Sequence, residues 1–96
     1  MKKMDYRTPS ELLDLLGRLV RQRRIQLSLD QTAAAARAGV SVRSWRDLEL
    51  GAGSSLDTFV RAAKALSISD RLDLLVPPTP TISPIAMAKA KRNEPQ

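Results

Sequence analysis

Apolar residues in the first third of the chain recur at helical spacing. Leu12, Leu13, Leu16, Leu19, Val20 and Leu27 fall in one sector of a helix. Thr8 suits an N-cap, Pro9 the first helical position, and Glu11 can reach back to close a capping box. The pattern predicts a first helix over about 9–27, with a soft point at Gly17. Arg23 projects into the apolar sector, and its stem is expected to lie there with the guanidinium reaching past it to solvent. Asp30 can cap a second helix, 31–38, that closes at Gly39. Its run of alanines, Ala33 to Ala36, favours helix and lets a neighbouring helix approach closely. Ser41 can cap a third helix, 42–50, closed by Gly51. After the loop Gly51–Ser54 a fourth helix is expected over about 55–66, with Phe59, Val60, Ala63 and Leu66 as its inner face. Ser69 can cap a short fifth helix, 69–75. An all-α, five-helix domain is the fold these signals imply.

Beyond Val76 the punctuation changes. Pro77, Pro78, Pro80 and Pro84 are followed by basic residues at Lys89, Lys91 and Arg92. Residues 77–96 therefore read as a Pro-rich basic tail, extended or disordered in isolation, in which 85–91 can form a helical turn or two. The organisation is an arm at 1–7, a domain at 8–76 and this tail, with no internal repeat. A chain of 96 residues holds one domain with a high ratio of surface to volume. Burial of further apolar surface in a homodimer is the natural remedy.

Composition narrows the chemistry mostly by subtraction. Cysteine and histidine are both absent. Disulfides, thiolate metal sites and the commonest general base go with them, so no metal site, no cofactor and no enzyme are expected. The charge balance is positive, with 16 basic residues against 10 acidic and a formal net charge of +6. Arg18, Arg21, Arg23 and Arg24 crowd into a stretch without an acid, which is either a solvated helix face or a surface for an anionic partner. No apolar run approaches the roughly 20 residues that span a bilayer. The charged N-terminus has no hydrophobic stretch behind it, as a secretory signal would, so a soluble cytoplasmic protein is expected.

Two short helices separated by Gly39-Val40-Ser41 carry the functional argument. Gly39 can take the left-handed conformation that a tight inter-helix turn demands. Val40 can plug the gap and Ser41 can cap the next helix, which then stands out where it can enter a DNA major groove. The stretch Leu29-Asp30-Gln31, Ala34-Ala35, Gly39-Val40-Ser41, Leu48-Glu49 and Gly51 resembles the Cro- and lambda-repressor-like (XRE) helix-turn-helix family. So does Ser55-Leu56-Asp57-Thr58 through Ala65-Leu66, and the similarity covers roughly 16–75.

That resemblance implies a DNA-binding regulator and assigns roles by position. Val42, Arg43, Arg46 and Asp47 match base-reading positions of the recognition helix. Gln31, Ser41, Ser44, Arg21 and Arg24 match or neighbour phosphate-contacting positions. Arg24 and Glu49 match a buried ion pair joining the first and third helices, and Trp45 matches a core position where its bulk can fill space left by Ala34 and Ala38. Alternatives stay open for several of them. Arg43 reads a base or is only an exposed helix residue. Val42 either packs on a thymine methyl or covers the turn, Arg46 meets phosphate or base, and Asp47 accepts from a cytosine amine or orients Arg43. The loop after the third helix lacks the basic residues that hold phosphates in many relatives. Backbone amides of Gly53 and Ser54, or Arg18 and Arg21, would have to serve there. Ile68, Leu72, Leu75 and Val76 are expected at a two-fold dimer contact, or else complete the monomer core.

A subset of the family is closer still. The lead-in Tyr6 to Leu12, the Ser-Leu-Asp-Thr-Phe start of the fourth helix, the stretch Leu66 to Pro77, and Ser83-Pro84-Ile85 with the basic end are similar to HipB-type antitoxins. This likeness implies a dimer that represses its own operon and neutralises a HipA-like kinase toxin. Two other readings remain: a stand-alone or phage-type repressor, and an interaction module that inhibits a partner while binding DNA weakly.

Overall fold

A computed structural model of the protein describes residues 5–78. The chain runs through α1 (Pro9–Gln26), α2 (Gln31–Ala38), α3 (Val42–Leu50), α4 (Leu56–Ala65) and a 3-10 helix (Ser69–Leu75). Among the described residues there is no strand. Residues 1–4 and 79–96 lie outside them, and with them most of the expected arm and tail, the helical turn at 85–91, and Ser83-Pro84-Ile85.

Each α-helix starts where a short polar side chain can accept the first orphan N–H groups. Thr8 accepts from the Glu11 amide while the Glu11 carboxylate accepts from the Thr8 amide, so the capping box is complete. Asp30, Ser41 and Ser55 cap α2, α3 and α4 in the same way. Gly39 and Gly51 both close their helices in the left-handed region at φ 71°. The last helix departs from expectation. It is a 3-10 helix whose preceding residue is Ile68, with no side-chain cap, so Ser69 does not cap it.

The core is small and rich in alanine. Val20, Ala34, Ala35, Ala38, Trp45, Leu48, Ala62, Ala65 and Leu66 form one buried cluster, with Trp45 and Leu66 its largest fully enclosed side chains. Trp45 shares this cluster with Ala34, Ala35 and Ala38 of α2. Val40, Val42, Phe59 and Ile68 pack against this cluster from outside. In this arrangement α1 lies chiefly on α3, while α2 is held between α3 and α4.

Two apolar expectations need correction. Leu12, Leu13 and Leu19 are 37%, 40% and 49% exposed, so only part of the first helix's sector is covered. The helix meets α3 along Gly17, Val20 and Arg24, its buried residues, and the leucines flank that line. Val60, expected inside, is also exposed, because α4 turns Ala62 and Ala65 inward and leaves Val60 on its outer side. Arg23 adds a contact that its place in the sector did not suggest. Its Nε donates to the Leu66 carbonyl at 3.0 Å, while Nη1 of the half-buried residue donates to Gln26 Oε1 at 3.3 Å on the exposed side. It holds the carbonyl at the C-cap of α4, where a cation also meets the negative end of the helix dipole.

Gly17 owes its place to contact, since its backbone is helical and not softened. A Cβ there would sit 2.5 Å from the Glu49 carbonyl oxygen and 2.7 Å from that of Leu48. Only a residue without a side chain lets α1 lie this close to α3.

Candidate nucleic-acid interface

The turn between α2 and α3 is built as the spacing requires. Gly39 reverses the chain, the Val40 amide donates to Ala35 O at 3.0 Å, and the half-buried Val40 side chain packs on the core. Ser41 then accepts from the Ser44 amide at 3.0 Å and starts α3. This leaves α3 with one buried side, Trp45, Leu48 and Glu49, and one side that includes exposed Arg43 and Arg46.

Beneath the exposed side lies a charged network. Arg24 of α1 places Nε 2.5 Å from Glu49 Oε2 and Nη2 3.1 Å from Oε1, a bidentate pair. Its Nη1 donates to Leu29 O at 2.9 Å. The Trp45 indole N–H donates to Glu49 Oε2 at 2.6 Å, and Gln31 Nε2 donates to Oε1 at 3.1 Å. Burial alone would push the Glu49 carboxyl up. Hydrogen bonds from Arg24, Trp45 and Gln31, with the charge of Arg24, outweigh it and hold the group below its ordinary range. The bond to Glu49 raises the Arg24 guanidinium in return. Among the described residues no buried side-chain polar atom lacks a partner.

The expected ion pair is therefore in place, but one role expected of Arg24 is corrected. The residue is 9% exposed and its three nitrogens face Glu49 and Leu29, so it is not placed to meet a phosphate. Gln31, the half-buried first residue of α2, faces inward to Glu49 and outward to Arg46, whose Nε donates to Gln31 Oε1 at 3.3 Å. Ser41 is occupied by its capping bond and by a 2.9 Å bond to Ser44 Oγ, in which it donates. Ser44 keeps its own hydroxyl proton.

Of the base-reading candidates, Arg43 and Arg46 are exposed, Val42 and Asp47 half-buried. Val42 packs against the core and covers the turn. Among the described residues no ion pair joins Asp47 to Arg43. Asp47 instead lines a polar hollow of about 280 Å³ with Ser44, Gly53, Ser54, Ser55 and Thr58. That hollow adjoins the amide-bearing start of α4, on the loop that lacks basic residues. Arg21 stands apart, on the outer side of α1 with Arg18, Gln22, Ile25 and Gln26. Of the dimer candidates, Ile68 and Leu72 are half-buried, and Leu75 and Val76 are 77% and 74% exposed.

Sequence reasoning missed, among others, three connections: Gln31 to Glu49, Trp45 to Glu49, and Arg23 to Leu66. The second was legible, since positions 45 and 49 lie one turn apart on the same face. The other two depend on how separate helices meet.

Among the described residues no group of three or more acidic, histidine or cysteine side chains could hold a metal ion, and no helix is long and apolar enough to cross a membrane. A family model described as a helix-turn-helix domain matches residues 15–75, from within α1 to the end of the 3-10 helix. No curated protein matches the chain significantly.

Proposed function

This chain belongs to the helix-turn-helix domain family, of the XRE/Cro-like type, and on that premise we propose that it is a sequence-specific transcriptional repressor binding operator DNA as a homodimer. The observation that carries the reading is α3. It is capped, locked to α1 through Arg24–Glu49, and has two exposed arginines on the side away from the core.

Laid in the major groove, α3 brings Arg43, the second residue of the helix, to base edges. A bidentate arginine–guanine contact is worth about 1–3 kcal/mol of discrimination. Arg46 meets a phosphate or a neighbouring base, and Asp47 accepts from a cytosine amine. Phosphates are held by the Ser44 hydroxyl, by the amides at the start of α2, and by the amides beside the polar hollow. Arg21 adds longer-range attraction from α1. Such binding weakens steeply with salt, because each neutralised phosphate releases counterions. Leu75 and Val76 supply the two-fold contact, which sets two recognition helices roughly 34–36 Å apart. No catalytic step belongs to this reading, and the protein acts in the cytoplasm.

A finer identity is an antitoxin of the HipB type that represses its own operon and neutralises a HipA-like kinase. The support for it is the sequence likeness around α4, in 66–77 and beyond. A stand-alone or phage-type repressor is the simpler form of the same reading. One observation favours a partner-inhibiting module instead: a carboxylate, Asp47, and an uncharged loop stand beside the recognition helix.

The test is fluorescence anisotropy with duplex DNA from upstream of the protein's own gene, against a scrambled duplex. Tight, selective binding that Arg43→Ala weakens is expected. Equal and weak binding to both duplexes would overturn the repressor and favour the interaction module.

A further inference from the structure

We propose that Gln31 is the positioning residue of Arg46, gripping one side of its guanidinium so that the other two nitrogens are presented to DNA; this rests on the DNA-binding reading above. The argument begins in the core. Glu49 takes donors from Arg24 and Trp45 and is held ionised, and an ionised carboxylate can only accept. The Gln31 group that faces it must therefore be the amide nitrogen, found 3.1 Å from Oε1. This settles the orientation of the whole amide. Its carbonyl oxygen is turned outward, toward α3, where Arg46 Nε donates to it at 3.3 Å.

An outward carbonyl is a poor match for a phosphate oxygen, since both accept. It is a good match for a guanidinium, which only donates. Phosphate binding expected of the Gln31 side chain passes to Arg46, while the backbone at the start of α2 keeps its own role. With Nε engaged, Nη1 and Nη2 form the parallel pair of donors that suits a phosphate or the O6 and N7 of guanine. A long, flexible side chain is ordered before DNA arrives, so less freedom is lost on binding. The buried charge of Glu49 thus fixes an exposed arginine through a single amide.

Two substitutions separate positioning from direct phosphate contact. Gln31→Met removes both hydrogen bonds at similar volume. Gln31→Lys keeps a donor for Glu49 and adds a cation for phosphate, but has no oxygen for Arg46. In the DNA-free protein, the Arg46 Nε–Hε signal in nitrogen–proton NMR, assigned by its loss in Arg46→Ala, should be protected from exchange in wild type. It should lose that protection in both Gln31 variants, with Trp45 emission reporting that they remain folded. Unchanged protection in folded Gln31→Met would overturn the proposal.

The second measurement uses the duplex that wild type selects from a randomised pool. Gln31→Met should weaken binding by about fivefold, within the range of pairwise coupling between contacting residues, and should have no further effect in an Arg46→Ala background. Gln31→Lys should lose discrimination at the base pair whose preference Arg46→Ala also relaxes. Equal losses from Gln31→Met in both backgrounds would sink the positioning role and leave DNA binding intact. If wild type selects no duplex, the repressor and the proposal fail together.

Discussion

Glycine 17 and glutamate 49 show how single residues decide this molecule. The two meet where α1 crosses α3, one by having no side chain and the other through its carbonyl and its carboxylate. Gly17→Ala improves helix propensity, yet its methyl lands against backbone oxygens that cannot swing aside. Overpacking of this kind costs about 1–3 kcal/mol. Urea unfolding followed by the chain's single tryptophan should show that loss. Glu49→Gln removes the charge that compensates Arg24, and breaking a buried pair this way costs about 3–5 kcal/mol. The same carboxylate gives a pH signature. Its folded pKa lies below the ordinary 4.5, so its contribution is complete above that value and fades as pH falls through the folded pKa. Wild-type stability should drop over that acid range, and Glu49→Gln should flatten that part of the profile. An unaltered acid limb would show that another carboxylate governs it.

At the scale of elements, the recognition helix is defined by its ends. Ser41 satisfies its start, Gly51 its close, and both settings were readable from residue type and spacing alone. Ser41→Ala should cost about 1 kcal/mol of stability, the usual loss for an N-cap serine. It also frees Ser44 from its partner, so DNA affinity should fall further than the stability loss explains. Thermal melts and anisotropy on one preparation would separate the two effects. Amphipathic pattern was a weaker guide to which side each helix buries. Val60 and Leu19 fit an apolar stripe and lie outside, while Ala62 and Ala65 join the expected Ala63 and Leu66 on the buried side of α4 and its C-cap. Small residues let helices approach closely, and a close approach covers a narrower band of each.

For the whole molecule, exposed apolar side chains gather at the end of the described residues. Leu74, Leu75 and Val76 are each about three-quarters exposed, a contiguous patch of the kind that marks an association site. If this patch makes the two-fold contact, replacing Leu75 and Val76 together by aspartate should convert a dimer to a monomer in sedimentation equilibrium. Affinity for a full palindrome should then fall toward that for a half-site, with Trp45 emission unchanged. A dimer that survives the pair would move the contact elsewhere, and Leu50 and Leu56, exposed on either side of the loop after α3, would be examined next.

By itself the sequence determined what depends on near neighbours. Caps, left-handed glycines and the turn between α2 and α3 are local bargains between side chain and backbone, legible at a separation of a few residues. The all-α fold followed from them, and with it a capped third helix on which Arg43 and Arg46 are exposed. The tertiary structure alone decided what passes between helices. It turned Gly17 from a soft point into a contact, enclosed Arg24 away from any phosphate, drew Arg23 to the end of α4, and set Gln31 between a buried carboxylate and an exposed arginine. Those outcomes rest on distances between residues far apart in the chain, and hydrogen-bonding direction becomes fixed only once such partners have met.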